Sequence, residues 1–182
     1  MKQTATAVMI LFFACGAYAE NEYAEWRLAG SISYSDYERD DGTVSDGGIG
    51  IKISQQYRFN KWIGLEAAFY DSPEFKDDFT PDEPGGESET SYQGLTFHGI
   101  AYLPSPSERI DFFLKGGYFY FFNVDLAIDG IKVDDTTEDG LTLGAGTAIR
   151  VNDNVGLRVE FDWYDVSGAD LWTIGIGAEY RF

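Results

Sequence analysis

The sequence predicts an all-β fold, namely an eight-stranded antiparallel up-and-down β-barrel that crosses a membrane. Three observations support this prediction. Eight segments alternate apolar and polar residues with a period of two, their connections alternate between short and long, and their polar faces carry opposite charges and glycines. Each segment is about as long as a tilted membrane-crossing strand needs to be. No segment shows a helical period.

The first 19 residues have the pattern of a secretory signal peptide. Lys2 supplies a positive start, residues 8–14 form an apolar core, and Ala17-Tyr18-Ala19 is a small-x-small cleavage site. The apolar core is too short to cross a bilayer as a helix. We therefore expect residues 1–19 to be removed and residues 20–182 to form one barrel domain.

The only cysteine, Cys15, lies inside this predicted signal peptide. Cleavage before Cys15, as in a lipoprotein, is the alternative, but the bulky Phe12 and Phe13 disfavour it. After cleavage behind Ala19 the chain has no disulfide and no thiolate chemistry.

The chain is strongly acidic, with 31 acidic and 13 basic residues and a net charge of −18. Phosphates would be repelled by such a surface, so we expect no nucleic-acid partner. Aromatic residues make up 16% of the chain, which is high for an acidic protein that is soluble in water.

The eight alternating segments follow one another from residue 25 to the end of the sequence. In the fourth, Ile100 and Tyr102 blur the alternation, and we place Leu95 and Phe97 on its apolar side. The segments read EWRLAGSISYS, GIGIKISQQYRF, WIGLEAAFY, GLTFHGIAYL, DFFLKGGYFYFF, LTLGAGTAIRV, VGLRVEFDWY and WTIGIGAEYRF.

The connections between the segments place short turns at one end of the barrel and long loops at the other. The short connections are 60–61, 104–107 and 152–154. The long connections are 36–47, 71–91, 123–140 and the shorter 165–170. The long connections hold 21 acidic residues but only the bases Arg39, Lys76 and Lys132.

The apolar faces are predicted to point outward, into lipid. Trp, Tyr and Phe concentrate near the strand ends, where lipid-facing barrels carry aromatic girdles. Lipid requires every backbone polar group to be paired, which a closed barrel achieves. A soluble eight-stranded barrel with the apolar face inside is the alternative.

The opposite faces carry seven bases and four acids among small residues, so we expect an ion-pair network inside the barrel. Unpaired charges there would be costly, and the glycines leave room for long side chains. The predicted network comprises Arg27, Lys52, Arg58, Glu66, Lys115, Arg150, Arg158, Glu160, Asp162, Glu179 and Arg181.

The chain resembles the small outer-membrane barrels of the OmpA-like/OmpX-like family. The resemblance rests on Leu141–Val166, a strand with Gly-x-Gly, a short Asn/Asp turn and a further strand, and on Ile174–Phe182, which ends in an aromatic residue. It implies that Tyr180 and Phe182 are read by the barrel-assembly machinery. OmpA itself continues into a periplasmic peptidoglycan-binding domain, which we do not expect here.

The resemblance implies the outer membrane of a Gram-negative bacterium, with both termini in the periplasm. We expect a monomer with lipid and lipopolysaccharide as partners and no cofactor, no resident metal site and no enzyme activity. Its role would be structural and interfacial: envelope integrity, presentation of acidic extracellular loops and, as in some family members, adhesion. An eight-stranded barrel is narrow enough to be filled by side chains, so a general diffusion pore is not expected.

Three alternatives remain open. Some small outer-membrane barrels are lipid A-modifying enzymes that use a histidine, and His98 is the only histidine. However, Ile100 rather than a serine lies two residues along, and we expect His98 to face the interior. A narrow, low-conductance channel is the second alternative. Divalent cations bridging the acidic loops to lipopolysaccharide are the third, against a merely solvated, repulsive surface or a salt-adapted host.

Overall fold

The computed structural model describes residues 24–39, 45–77, 88–128 and 131–182. The predicted signal peptide lies outside the described residues. The strands are β1 (Glu25–Arg39), β2 (Ser45–Arg58), β3 (Ile63–Asp71), β4 (Phe75–Asp77), β5 (Ser88–Leu103), β6 (Ile110–Ile128), β7 (Ile131–Arg150), β8 (Val155–Val166) and β9 (Ala169–Arg181). Among the described residues, no helix is long and apolar enough to cross a membrane.

Eight of these strands form a closed antiparallel barrel, which confirms the predicted fold class. Sequential strands pair around the sheet, and two further pairings close it: β1 with β9 and β3 with β5. The closing pair joins Arg27 to Arg181 and Ile32 to Ile176 in register. The amide of Phe182 also donates to the carbonyl of Trp26 at 3.0 Å, so the last residue completes the seam between the first and last strands.

The barrel is apolar outside, as predicted, and its interior is charged from the middle to the turn end but apolar at the loop end. On β9 the outward Ile176 is 64% exposed, whereas the inward Glu179 is 2% exposed. On β5 the outward Phe97 is 51% exposed and the inward His98 is 2% exposed. Strand alternation puts successive side chains on opposite faces, so one face of each barrel strand points outward and the other points into the interior.

The two ends of the barrel differ, and we name them by their connections. The turn end carries the connections 59–62, 104–109 and 151–154, whereas the loop end carries the remaining ones. At the loop end, β8 and β9 are joined by Ser167 and Gly168, and Gly168 has a φ of 74°, in the left-handed region that favours glycine.

All four predicted connections at the loop end are wrong in detail, because strands extend into each of them. Within 36–47, β1 continues to Arg39 and β2 begins at Ser45, and within 165–170 only Ser167 and Gly168 lie between strands. The segment 123–140 is not a long loop, because β6 continues to Ile128 and β7 begins at Ile131. The Asp-Gly pair at 129–130 between alternating residues is a signal for a tight hairpin. The segment 71–91 contains the short strand β4, which pairs with β5 beyond the end of β3.

Candidate functional site

The interior of the barrel contains a charged cluster at its middle, which we name the central cluster. It draws side chains from five strands, because the inward positions of β2, β3, β5, β6 and β8 converge there. Three cations face three carboxylates with one histidine beside them: Lys52, Lys115, Arg158, Glu66, Glu160, Asp162 and His98.

The two lysines of the central cluster lie among all three carboxylates. Lys115 Nζ is 2.7 Å from Glu160 Oε2, 2.8 Å from Asp162 Oδ1 and 3.3 Å from Glu66 Oε1. Lys52 Nζ is 2.7 Å from Asp162 Oδ2 and 3.0 Å from Glu160 Oε1. Since these groups are almost fully buried, each charge depends on its partners for compensation.

A second charged cluster lies at the turn end, and we name it the rim cluster. It consists of Glu25, Arg27, Arg58, Asp111, Glu179 and Arg181. Asp111 is its centre, because one oxygen accepts from Arg27 at 3.0 Å and the other from Arg58 at 3.1 Å. Glu179 Oε1 accepts from Arg181 Nε at 2.8 Å and lies 3.5 Å from Arg27 Nη1.

An aromatic layer separates the two clusters. The rings of Tyr102 and Phe113 lie 6.3 Å apart in a buried group with Ile100 and Ala148. Arg58 of the rim cluster stacks over Tyr102 at 3.9 Å, and Arg158 of the central cluster lies over Phe113 at 4.5 Å. Each cluster therefore contacts one ring of this layer through a cation–π interaction.

The loop end of the interior is apolar, and we name this region the loop-end core. Its buried members are Tyr70, Phe75, Tyr92, Phe119, Phe121, Tyr164, Val166, Ala169 and Leu171. Tyr70 and Tyr164 stack at 5.6 Å, and Tyr37 stacks on Phe75 at 5.5 Å. Phe75 belongs to β4, so the segment after β3 contributes to closing the loop end.

Glycines make room for the interior side chains. A Cβ atom added at Gly144 would lie 2.7 Å from Lys115 Cε, and one at Gly146 would lie 2.8 Å from Phe113 Cε2. At Gly156 the added atom would lie 2.9 Å from Glu179 Oε1. The glycines therefore leave the space that the long interior side chains occupy, as the sequence indicated.

The structure brings ten of the eleven predicted network residues into the two clusters. Arg150 is the exception, because it has no ion pair with the described residues and its Nε is buried without a hydrogen-bond partner. Glu25 and Asp111 were missed by the sequence analysis. Both follow the inward alternation of their strands, two residues before Arg27 and Phe113, so the signal was present in the pattern.

His98 lies inside the barrel rather than at the lipid surface. Its Nε2 is 3.4 Å from Thr142 Oγ1, and its Nδ1 is 3.4 Å from Glu66 Oε1 without hydrogen-bond geometry. An acid, a histidine and a hydroxyl are thus adjacent, but all are buried in the interior. A lipid substrate outside the barrel has no contact with them.

The two predicted assembly-signal residues lie on the outside of the seam at the turn end. Tyr180 is 46% and Phe182 is 70% exposed, and their rings meet edge to face at 5.0 Å. Trp26 and Tyr57 pack at 4.7 Å on the same side of the barrel. The described residues contain no group of three or more side chains that could hold a metal ion.

Solved structures similar to this chain are small outer-membrane barrels. Neisserial surface protein A has a TM-score of 0.67 at 15% identity, over 86% of this chain and 97% of that chain. Ail, the attachment invasion locus protein of Yersinia pestis, has a TM-score of 0.64 at 16% identity, over 88% and 99%, in a complex with the heparin analogue sucrose octasulfate. OprG from Pseudomonas aeruginosa has a TM-score of 0.62 at 15% identity, over 89% and 97%.

At these identities the similarity shows the fold alone, and no curated protein sequence matches the chain. The family assignment comes from a different comparison. The family model of the outer membrane protein beta-barrel domain matches residues 5–182, almost the whole chain. The protein therefore belongs to the outer membrane protein beta-barrel domain family and is an outer-membrane β-barrel protein of a Gram-negative bacterium.

Proposed function

We propose that the protein is a structural and surface-presenting component of the outer membrane, with an interior closed to general diffusion. The observation that carries this proposal is the filling of the interior. The central cluster, the aromatic layer and the rim cluster follow one another along the barrel axis. An eight-stranded barrel has little space beyond what such side chains occupy.

A diffusing solute would have to separate buried ion pairs that extend across the whole interior. Arg158 on β8 reaches Glu66 on β3, on the opposite wall, at 2.6 Å. Separating such partners exposes uncompensated buried charges, which costs several kcal/mol. This cost argues against a permanently open pore.

Planar-bilayer recordings of the purified protein test the closed interior. We expect no steady conductance in 1 M KCl, whereas a porin preparation recorded in the same bilayers conducts. Frequent discrete openings would contradict the proposal and favour the narrow channel. A variant lacking both lysines of the central cluster, Lys52→Ala with Lys115→Ala, should conduct more than the wild type if side chains fill the interior.

We further propose that the loop end faces outward and the turn end faces the periplasm. The acidic connections support this orientation, because outer-membrane barrels have short turns on the periplasmic side and longer loops on the extracellular side. Two single-cysteine variants test it: Ser167→Cys at the loop end and Asp153→Cys at the turn end, both at exposed positions. In intact cells a membrane-impermeant maleimide should label only the cysteine at 167. Labelling of only the cysteine at 153 would reverse the orientation.

Adhesion through the acidic loops is the second candidate role. It is favoured by the structural similarity to Ail, an attachment protein solved with a heparin analogue. The net charge of −18 on this chain would, however, repel a sulfated polysaccharide. We therefore propose a neutral or basic partner surface. Immobilised heparin should retain none of the protein at physiological salt, and retention would overturn this assignment.

Divalent cations are proposed to bridge the acidic loops to the phosphates of lipopolysaccharide. Two anionic surfaces in contact repel each other unless cations intervene. Calorimetry with millimolar calcium should give a saturable heat with the protein in detergent. The absence of any heat would leave the loops as a solvated, repulsive surface.

We propose no enzyme activity. The support is the burial of His98 among Glu66, Thr142 and the lysines of the central cluster. Mass spectra of lipid A from cells with and without the gene should be identical. A mass difference that disappears with His98→Ala would establish the enzyme instead.

Tyr180 and Phe182 are proposed to act as the assembly signal. Their support is their outward position at the seam, where the last strand pairs with the first. Phe182→Ser should lower the amount of folded protein in the outer membrane in vivo while leaving refolding of the purified chain into detergent unchanged. An equal loss in both experiments would assign the ring to barrel stability alone.

A further inference from the structure

The outer wall of the barrel has a groove over β3, β5 and β6, which we name the outer groove. Its volume is about 330 Å³. In the register, Gly99 pairs with Gly116, and Ala101 lies between Ile63 and Leu114. The three small residues form the floor, and the two large side chains flank it. A Cβ atom added at Gly99 would lie 3.8 Å from the carbonyl oxygen of Gly116, its nearest contact beyond the chain neighbours, so the floor is open to the outside.

The outer groove is part of the lipid-facing surface that follows from the family assignment. Ile63 is 51% and Leu114 is 50% exposed, so no described part of the chain covers them. In a bilayer, acyl chains fill this surface. A chain that lies in a groove has wall atoms on three sides and gains van der Waals contacts that a chain on a convex wall lacks. We therefore expect the groove to hold one chain more firmly than the rest of the wall does.

Positive charge is available at the turn-end side of the outer groove. Among the residues whose side chains the structure describes, Lys61 and Arg109 are the only exposed bases. Lys61 lies in the turn before β3, two residues from Ile63, and its Nζ is 4.9 Å from the centroid of the Trp62 ring. The carbonyl of Trp62 accepts from the amide of Tyr102 at 2.7 Å, so this turn is held against β5 next to the groove.

We propose that the outer groove binds an anionic phospholipid, with one acyl chain over Gly99 and Gly116 and the phosphate group beside Lys61. A basic residue near the membrane surface attracts anionic headgroups, and tryptophan is favoured at the same level. Arg109 lies in the connection between β5 and β6 and adds a weaker attraction, because the exposed Glu108 precedes it. Charge and shape thus select the same lipid at one place on the wall.

The assignment to phospholipid rests on the proposed orientation, with the turn end in the periplasm. Ile63 is the first residue of β3, so the outer groove opens toward the turn end. It then lies in the periplasmic leaflet, which contains phospholipid, whereas lipopolysaccharide occupies the outer leaflet. The cysteine labelling described above tests the orientation in cells. Lipid binding by the purified protein tests the groove itself, so the two can fail separately.

Photo-crosslinking of the wild-type protein locates the lipid without any substitution. The full chain is reconstituted in vesicles that contain a trace of phosphatidylglycerol with a photoactivatable group on one acyl chain, and the adducts are mapped by peptide mass spectrometry. Adducts should concentrate on β3, β5 and β6 around the outer groove. An even distribution over all eight barrel strands would overturn the proposal. A crosslinked second copy of the chain on this face, in place of lipid, would overturn it as well.

Filling the outer groove tests whether its shape holds the chain. Gly99→Leu is the test variant, because its floor position accepts a side chain. Gly30→Leu is the matched control, an exposed glycine on β1 whose added Cβ would meet nothing within 4 Å. In native mass spectrometry of the detergent-solubilised protein, the wild type and Gly30→Leu should retain one phosphatidylglycerol. Gly99→Leu should bind it at least about tenfold more weakly, and equal binding by all three proteins would overturn the site.

The headgroup contact is tested by comparing phosphatidylglycerol with phosphatidylethanolamine in the same titration. The wild type should prefer the anionic lipid, and Lys61→Gln should reduce this preference about fivefold. Lys61→Arg should keep the preference, because the charge is retained. The mobility shift on boiling confirms for each variant that the barrel has folded. A wild type that binds both lipids equally, or a preference unchanged in Lys61→Gln, would overturn the assignment to an anionic lipid.

Discussion

Glu66 on β3 accepts a hydrogen bond from Arg158 on β8 at 2.6 Å, and these two strands lie on opposite walls of the eight-stranded ring. The same carboxylate meets Lys115 at 3.3 Å and Lys52 at 3.8 Å. The carboxylate of Glu66 therefore connects strands on opposite walls of the barrel. Ion pairs cross the interior, which side chains also fill.

Glu66→Gln should destabilise the protein by about 3–5 kcal/mol, because it leaves three buried cations facing two carboxylates. The measurement is equilibrium unfolding in urea from lipid vesicles. Glu66→Gln with Arg158→Gln should recover part of the loss, as a double-mutant cycle reveals for coupled neighbours. A loss below about 1 kcal/mol for the single variant would show that water, rather than the carboxylate, compensates these cations.

The loop-end core is tested by two adjacent phenylalanines on β6. Phe121 is fully buried and lies 4.5 Å from Phe119 and 5.7 Å from Tyr164, whereas Phe122 faces outward and is 40% exposed. Phe121→Ala should cost about 3–5 kcal/mol in the free energy of unfolding, as large-to-small changes in packed cores do. Phe122→Ala, the matched control, should cost clearly less. Equal losses would mean that this end of the barrel is not a packed core.

The steric role of the interior glycines is tested by an alanine at Gly144. An added Cβ would lie 2.6 Å from the carbonyl oxygen of Phe161 and 2.7 Å from Lys115 Cε. We expect Gly144→Ala to cost about 1–3 kcal/mol through overpacking and displacement of Lys115 from Asp162. Gly30→Ala is the control, because an outward Cβ there meets nothing within 4 Å. If both variants keep wild-type stability in the urea assay, the side chains around Gly144 are not closely packed, and the steric role of this glycine is contradicted.

We expect Tyr102 to stabilise the barrel through its ring and not through its hydroxyl. The hydroxyl is buried without a hydrogen-bond partner, whereas the ring lies 3.9 Å from Arg58 and 5.6 Å from Arg27. Tyr102→Phe should therefore change the free energy of unfolding by no more than about 0.5 kcal/mol. Tyr102→Ala should cost about 3–5 kcal/mol, since the layer between the clusters is lost. A large loss in Tyr102→Phe would reveal a bound water on the hydroxyl.

The barrel itself was predictable from the sequence because alternation with a period of two is a local property. Charged Arg27 and Glu179 follow the parity of glycines and serines, and Ile32 and Ile176 follow the other parity, so each strand reports its own two faces. Even the blurred fourth strand obeyed this rule. Its inward Ile100 and Tyr102 belong to the aromatic layer, and His98 faces inward as expected.

The grouping of charges was not predictable, because it depends on how far neighbouring strands are staggered around the barrel. The sequence places Arg150 and Arg158 on inward faces alike, but only Arg158 reaches the central cluster. The alternating pattern contains no information about that stagger. The same limit concealed the role of Asp111 as the shared partner of Arg27 and Arg58.

The central claim is a closed barrel whose apolar faces meet lipid, and gel mobility tests it most directly. The outer-membrane fraction is compared unboiled and boiled in detergent. A closed barrel predicts that the protein is found in this fraction and that boiling shifts its mobility, because the ring of paired strands resists detergent until heated. A protein in the soluble fraction, with the same mobility before and after boiling, would contradict the claim and would turn the apolar faces inward.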